Sequence, residues 1–333
     1  MRRFKTALMA GLMVAGGSQL ASAVPTALVD PSDSFGALGT VTDIDSFNVN
    51  SIGGFALLAD MSNGEEAILG TNTGVGPGII AQFGTIDGFD IDNFVNAPDL
   101  SDTGSFVYRG QDVANLEVAF QDGSAVAVED TAIPGLAGKE YNAMNNPTIT
   151  ADGTSVHFVT SFTDGDGFGG SALLTNSGND SMVQADFSGP NIIDTAFSTQ
   201  IDGADVNNAS DPDYEFSPDG TQFVIPVRFY AFNAGATFGT DTALAKGSFD
   251  GSTLSVGAAM VGGSPLREGT PVPTVAKNGR TFTDTWDSFD VTGIADDGTY
   301  VVTGDLENEG EYLAVNGIIE LLDTLTQAMY STS

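Results

Sequence analysis

A turn glycine followed two or three residues later by an apolar strand recurs along this chain. The clearest copy runs from Asp213 to Tyr230, with the sequence DYEFSPDGTQFVIPVRFY. Pro early in a turn, Asp that bonds the local backbone, and Gly that tolerates positive φ together indicate a tight turn. Apolar and polar residues then alternate through Phe223, Ile225 and Val227, which predicts a strand with one buried face. The stretch is therefore predicted to be a β-hairpin.

Weaker copies of this unit recur along the chain, and their spacing indicates the architecture. The turn glycines are Gly53, Gly104, Gly153, Gly220 and Gly298, at intervals of 51, 49, 67 and 78 residues. Units of about fifty residues with about four short strands each are typical of a β-propeller. We predict an all-β fold, a propeller of about five or more four-stranded blades. A β-helix is the main alternative, but its repeats would be shorter and more even.

A second marker recurs between units. Glu129–Pro134 and Glu268–Pro273 both match E-x-T-x-[IV]-P, and each is followed by Gly, a basic residue, any residue and an aromatic one, Tyr141 or Phe282. The predicted role is structural, with the marker ending one blade and the aromatic residue starting the next. Helix signals are almost absent, and the best candidate, from Gly317 to Met329, suits a strand equally well.

The hexapeptide Phe216-Ser217-Pro218-Asp219-Gly220-Thr221 resembles the propeller repeat of TolB-like bacterial proteins, where a Ser-Pro-Asp-Gly turn joins two strands. The second marker resembles repeats of exported bacterial proteins of unassigned activity, some with a C-terminal sorting tail. This resemblance implies a β-propeller, and because the Asp-Gly pair is a turn it implies no catalytic residue. No sorting tail precedes Ser333, so the chain is either freely secreted or continues beyond the sequence.

The N-terminus predicts export. Arg2, Arg3 and Lys5 precede an apolar run, and Ala21-Ser22-Ala23 follows as a small-residue cleavage site. This order is typical of a secretory signal peptide over residues 1–23, by the general pathway or the twin-arginine one. We expect one propeller domain over 24–333, located in the medium, the periplasm or at the cell surface. The apolar run is too short for a stable membrane anchor, so no membrane insertion is expected after cleavage.

The charge of the chain excludes some partners. The whole chain has 10 basic and 44 acidic residues, and removing the signal leaves a net charge of −37. Nucleic acid is therefore not expected as a partner, because both would be strongly negative. The acidic residues are interpreted mainly as solvated turns, with calcium sites as the alternative. Since the chain has no Cys, thiol catalysis and cysteine metal sites are excluded.

Two acidic loops are the candidate calcium sites. Asp164 and Asp166 lie two residues apart in a Gly-rich loop, and Asp202, Asp205 and Asp211 crowd a second one. Ca²⁺ prefers six to eight oxygen ligands from carboxylates, carbonyls and water. The first loop lacks the bidentate Glu of an EF-hand, and acidic Gly-rich loops are more often only solvated. We therefore expect no cofactor, with Ca²⁺ as the alternative.

The sequence favours binding over catalysis. His157 is the only histidine and no G-x-S-x-G motif occurs, so we predict a structural or surface role for it. Hydrolysis by paired carboxylates needs an acid with a raised pKa beside an ionised partner, usually with aromatic sugar platforms. Trp286 is the single tryptophan, suited either to packing or to a sugar contact. We expect an exported, non-catalytic protein that binds a protein or glycan ligand. The alternative is a secreted, carboxylate-dependent glycan-active enzyme, and carboxylates converging in a central channel would distinguish it.

Overall fold

The fold is all-β. The computed structural model describes residues 29, 33–71, 77–164, 169–177, 180–186, 193–194, 199–204, 214–230, 242–249, 254–261, 263–272, 284–308, 310–315 and 318–321. Within these ranges the only helical turn is a 3-10 turn at Gly36–Leu38. No helix in the described ranges is long and apolar enough to span a bilayer. The predicted signal peptide over residues 1–23 lies outside them.

Five antiparallel sheets follow one another along the chain. The first has β1 (Val41–Val49), β2 (Phe55–Met61), β3 (Glu66–Thr71) and β4 (Gly78–Gln82). The second has β5 (Gly84–Ile86), β6 (Phe89–Leu100), β7 (Phe106–Asp112), β8 (Glu117–Gln121) and β9 (Ser124–Val128). The third has β10 (Lys139–Met144), β11 (Thr148–Ile149), β12 (Ser155–Asp164), β13 (Gly169–Ser177) and β14 (Asp180–Asp186).

The remaining strands complete the series. The fourth sheet has β15 (Ile193–Asp194), β16 (Thr199–Ala204), β17 (Glu215–Phe216), β18 (Gln222–Tyr230), β19 (Thr242–Phe249) and β20 (Leu254–Ala258). A small hairpin of β21 (Met260–Val261) and β22 (Ser264–Pro265) follows. The fifth sheet has β23 (Asp290–Ile294), β24 (Tyr300–Leu306), β25 (Gly310–Val315) and β26 (Ile318–Leu321). The candidate helix at the C-terminus is thus a strand over its described part.

The five turn glycines are structurally equivalent, as predicted. Each has a positive φ, between 73° and 99°, and each donates its N–H to the carbonyl three residues earlier. This is a β-turn that only glycine adopts without strain. The strand after each glycine, namely β2, β7, β12, β18 or β24, pairs with a neighbour on both sides. The repeat inferred from glycine spacing is therefore confirmed at the level of turn and strand.

One detail of the organising hairpin differs from the prediction. Phe223 and Ile225 are buried as expected, but Val224 between them is also buried, so β18 has two buried faces. The Val224 face packs in one cluster with residues of the fifth sheet, and period-two alternation is therefore lost. The ring of Phe223 lies over Gly247 of β19, where a Cβ would come within 2.0 Å of it. Gly247 is consequently required by close packing.

Consecutive sheets pack through apolar clusters. Leu58 of the first sheet packs with Tyr108 of the second, and Val107 of the second packs with Phe158 of the third. The fourth and fifth sheets share a cluster that includes Leu244 and Tyr312. Sheets stacked in this way bury both faces of their middle strands, which explains the continuous apolar runs in the sequence.

The turns also contact one another in chain order. Asp102 accepts hydrogen bonds from the Ser51 N–H, at 3.0 Å, and from the Ser51 hydroxyl, at 2.5 Å. The N–H of Ala151 donates to the Pro218 carbonyl at 2.8 Å. The next contact runs from the Asp219 N–H to the carboxylate of Asp296, at 3.0 Å. The turn segments therefore gather at one end of the sheets.

The second marker keeps the same local structure in both copies. Thr131 and Thr270 each donate a hydroxyl to the carbonyl three residues earlier, at 2.6 Å in both cases. Thr131 also accepts a backbone hydrogen bond from Tyr141, and Thr270 accepts the corresponding one from Trp286. Trp286 therefore takes the place for which the sequence suggested Phe282, a residue outside the described ranges.

Candidate functional site

A pocket of about 250 Å³ lies where the strands that lead into the five turn glycines end, namely β1, β6, β11, β17 and β23. One position of the repeat, which we call the pocket position, lies five residues before each turn glycine and lines the pocket in all five units. The pocket-position residues are Asn48, Asp99, Thr148, Glu215 and Gly293. The position after it supplies an apolar wall of Val49, Leu100, Ile149, Phe216 and Ile294. Equivalent strands thus deliver five different side chains to one place.

Asp99 is held by three donors from three sheets. Its Oδ1 accepts from the Leu100 N–H at 2.8 Å and from the Asn48 side-chain amide at 2.9 Å. Its Oδ2 accepts from the Ile149 N–H at 2.9 Å. Burial nevertheless raises the pKa of Asp99 to about 6, because loss of hydration outweighs these hydrogen bonds. Asp99 therefore joins the first three sheets and is largely ionised at neutral pH.

Glu215 is the second pocket acid, and its environment differs. The described residues offer its carboxylate no hydrogen bond or ion pair, and the side chain is half-buried at the start of β17. Burial first, and then the charge of Asp99, raise the pKa of Glu215 to about 8. Glu215 is therefore mainly protonated at neutral pH, next to an ionised Asp99.

Asn146 is an unsatisfied polar group in the pocket wall. It is only 2% exposed, and neither atom of its side-chain amide has a partner within the described part of the chain. Its backbone carbonyl accepts a hydrogen bond from the Tyr214 hydroxyl. A buried amide without partners costs free energy, so a pocket ligand or water that pairs with it would be stabilising.

One buried cation, Arg109, interacts electrostatically with Tyr214, whose hydroxyl bonds Asn146. Arg109 is 2% exposed and does not line the pocket. Its Nη1 donates to Glu117 Oε2 at 3.3 Å, and burial lowers its pKa. Tyr214 is close enough to interact electrostatically with both Arg109 and Asp99, and burial raises the pKa of its hydroxyl. Within the described lining, then, the charges are those of Asp99, Glu215 and, at the rim, Asp102.

The fifth unit contributes no side chain at its pocket position. Gly293 occupies the pocket position there, and a Cβ added to it would meet no atom within 4 Å. Its φ lies outside the range that disfavours other residues, so the glycine is not required by the backbone. The free space beside Gly293 is consequently the part of the pocket best able to admit a ligand.

His157 and Trp286 are structural. The His157 ring stacks on Phe216 at 4.3 Å and bonds the Thr175 hydroxyl at 2.8 Å. Burial lowers its pKa to about 4, so the ring is neutral at pH 7. Trp286 is 1% exposed and packs against Tyr312 at 4.8 Å. The sugar contact considered for Trp286 is therefore wrong, because the indole is inside the core.

The predicted calcium loops fall mostly outside the described residues. Asp166, Asp205 and Asp211 lie outside them, while Asp164 ends β12 and Asp202 is within β16, with only their backbones described. These five remain untested predictions.

A different acidic group lies at the edge of the first sheet. The carboxylates of Asp45, Asp60 and Glu66 come within 4.8 Å of one another. Partial burial first, and then mutual repulsion, raise the pKa of Asp45, while Glu66 is also raised by burial despite a hydrogen bond from the Phe94 N–H at 2.9 Å. Apart from the acids themselves, no described feature indicates a cation there.

Comparisons with known proteins give weak likenesses only. No family model matches the chain, and no curated protein matches it. Among solved structures it is similar to a luciferin-regenerating enzyme, with 11% identity and a TM-score of 0.28 over 78% of this chain and 64% of that one. It is also similar to a thermostable family-43 glycoside hydrolase, with 11% identity and a TM-score of 0.31 over 87% and 96%. A third likeness is AofleA from Arthrobotrys oligospora, with 10% identity and a TM-score of 0.31 over 88% and 92%. Likenesses at this level say nothing about what the chain binds.

Proposed function

We propose that the five sheets are the blades of a five-bladed β-propeller and that the pocket is its central cavity. The support is internal to the molecule: five equivalent turns, five meanders in chain order, and one lining position from each unit. In a propeller the blades surround a central channel, so equivalent positions of successive blades can converge there. Distances between paired spin labels at the exposed residues that precede the turn glycines should agree with five-fold spacing.

The proposed function is non-catalytic binding of a small polar ligand, of carbohydrate class, by an exported protein. The observation that carries it is the convergence of Asp99, Glu215 and the unpaired amide of Asn146 on one pocket with an apolar wall. Ligand sites combine apolar surface with polar groups that fix the orientation of the ligand, and this lining holds both kinds of residue. Sugar hydroxyls both donate and accept, so they suit an amide beside a protonated and an ionised carboxyl.

Calorimetric titration of the exported chain with a panel of monosaccharides tests this function. We expect binding that is lost in Gly293→Leu, because the leucine side chain would fill the open part of the pocket. Asp297→Asn, on an exposed turn, is the control and should bind as the wild type does. Absence of binding to every sugar by a correctly folded chain would contradict the proposal.

Hydrolysis of glycosides is the second candidate, and a specific observation favours it. Asp99 and Glu215 lie in one pocket with pKa values near 6 and 8, an ionised and a protonated carboxyl at neutral pH. Asp99 already accepts three hydrogen bonds, two of them from backbone N–H groups, which weakens it as a base and favours binding. Turnover of chromogenic glycosides that fails in Glu215→Gln would establish hydrolysis instead.

A further inference from the structure

Carboxyl groups in the pocket lining have acceptor capacity that the described hydrogen bonds leave unused. We propose that its ligand carries a protonated primary amine, seated between Asp99, Glu215 and Asn146, so that the preferred sugar is an amino sugar. This inference rests on the proposed carbohydrate-binding function and specifies its ligand class.

Unused acceptor capacity in the pocket wall carries the inference. The Glu215 carboxylate has no described hydrogen-bond partner, and the Asn146 amide oxygen has none either. Asp99 Oδ2 accepts a single hydrogen bond, from Ile149. An ammonium group has three donors and no acceptor, whereas a hydroxyl group has one donor and also accepts hydrogen bonds. An ammonium group can therefore donate to Asp99, Glu215 and the Asn146 amide oxygen, whose residues line one pocket.

Charge leads to the same ligand. The groups facing the pocket are Asp99 from β6, Asp102 from the following turn and Glu215 from β17, with Asn48 and Asn146 uncharged beside them. Arg109 does not line the pocket and is already paired with Glu117. Two desolvated carboxyls without a cation are costly, and a bound cation removes much of that cost. A net charge of −37 on the exported chain also attracts cations towards the pocket.

Protonation gives the interaction a measurable signature. Glu215, with a pKa of about 8, carries a proton for most of the time at neutral pH, and Asp99 nearby has a pKa of about 6. An ammonium group placed beside them favours the ionised forms, so it lowers both pKa values. Binding at pH 7 should therefore expel a fraction of a proton into solution, whereas binding of a neutral sugar should not.

Three sugars that differ only in the substituent at C2 test the amine directly. Calorimetry of the exported wild-type chain at pH 7 compares D-glucosamine, D-glucose and N-acetyl-D-glucosamine, each in two buffers with different heats of ionisation. We expect glucosamine to bind at least about tenfold more tightly than the two neutral sugars, and only glucosamine to release protons. In Glu215→Gln this preference should fall several-fold, while Asp297→Asn should retain it.

The possible outcomes distinguish failure of the amine proposal from failure of the proposed carbohydrate binding. Equal affinity for glucosamine and glucose, or tightest binding of N-acetylglucosamine, would overturn the amine and leave carbohydrate binding standing. Binding of none of the three sugars by a chain with native circular dichroism would overturn the amine, and failure of the wider sugar panel would overturn carbohydrate binding as well. The ligand comparison uses the wild type, so it is decisive even if Glu215→Gln folds poorly.

Discussion

Acidic residues in the turns and acidic residues in the pocket titrate in opposite directions. Asp152, Asp219 and Asp297 each precede a turn glycine, and the pKa of each is lowered. Asp99 and Glu215 lie a few residues earlier in the same repeat, and their pKa values are raised to about 6 and about 8. Within the repeat, only a few residues therefore separate the turn acids, which stabilise the fold, from the pocket acids, which are available to a ligand.

Local donors and water explain the difference. Each turn Asp accepts the N–H two residues later, at 3.0, 2.9 and 2.8 Å in chain order. At Asp152 and Asp297 this hydrogen bond is the main cause of the lowered pKa; at Asp219 partial burial acts in the opposite direction, but bonds from Ser217 and Thr221 outweigh it. In the pocket, by contrast, loss of hydration dominates. An acidic residue therefore indicates a ligand site only where the fold removes water from its carboxyl group.

Substituting a turn glycine should have the largest effect on stability. In Gly220→Ala the new Cβ would lie 2.6 Å from His157 Nε2 and 2.8 Å from Thr150 Cγ2, in addition to the strain of φ at +73°. The His157 ring is fixed by its stack on Phe216, so we expect a loss of about 2–5 kcal/mol from strain and overpacking together. The measurement is the free energy of unfolding by denaturant titration.

Gly53→Ala is the matched control for that substitution. It has φ of +86° but no atom within 4 Å of the new Cβ, so only the strain of about 1–2 kcal/mol should remain. Equal losses in the two variants would mean that the turns do not pack on one another as described.

Removing Asp99 should be the next largest change. Asp99→Ala leaves the N–H groups of Leu100 and Ile149 and the amide of Asn48 without their acceptor. Unpaired buried donors cost about 1–3 kcal/mol each, and with some access to pocket water we expect about 2–4 kcal/mol in total. Glu215→Gln, which breaks no described hydrogen bond, should change stability at pH 5 by less than about 1 kcal/mol. Similar losses in both variants would remove the distinction between a structural and a ligand-facing pocket acid.

The pH dependence of stability should reveal Glu215. Its folded pKa is above the unfolded value of 4.5, so the folded state binds more protons, and stability falls as pH rises towards about 8. Because the side chain keeps some exposure to the pocket, we expect the wild type to lose about 2–3 kcal/mol relative to Glu215→Gln between pH 4.5 and pH 9. Urea titrations of both proteins across this range measure the difference, and parallel curves would place Glu215 in water.

The smallest effect is expected at a turn acid, with the opposite sign. The pKa of Asp219 is lowered on folding, so its contribution is present above the unfolded value of 3.8 and is lost as pH falls below it. Asp219→Asn should cost less than about 1 kcal/mol at pH 7, because the site is exposed, and should cost less still at pH 2.5. A cost that grows on acidification would show that the hydrogen bonds to Asp219 do not favour its ionised form.

Sequence predicted the repeat because glycine at positive φ is an obligate requirement of the turn. Gly53, Gly104, Gly153, Gly220 and Gly298 therefore appear at the same place in every unit. The two buried faces of β18 were not predicted, since the neighbouring sheets that cover Val224 are distant in sequence. Local pattern determines a turn, whereas burial depends on the assembly of the sheets.

The pocket was missed because its residues have no common type. Asn48, Asp99, Thr148, Glu215 and Gly293 share only their distance from a turn glycine. That constant distance could have revealed the pocket, because it places the five residues near the ends of the equivalent strands that lead into the turn glycines. The acidic loops around Asp164 and Asp202 drew the prediction instead, because dense acids are visible in sequence and convergence is not.

Carboxyl NMR of the glutamates tests the contrast between turn and pocket acids most directly. With the glutamate side-chain carboxyls labelled with ¹³C, a pH titration gives a pKa for each resonance, and Glu215→Gln assigns the one that disappears. We predict that the Glu215 resonance titrates near pH 8, far above the usual range around 4.2 for glutamate in proteins, and shifts to lower pH when glucosamine is added. A Glu215 resonance that titrates below about pH 5 in the free protein would contradict the account, because the pocket would then be as well hydrated as the turns.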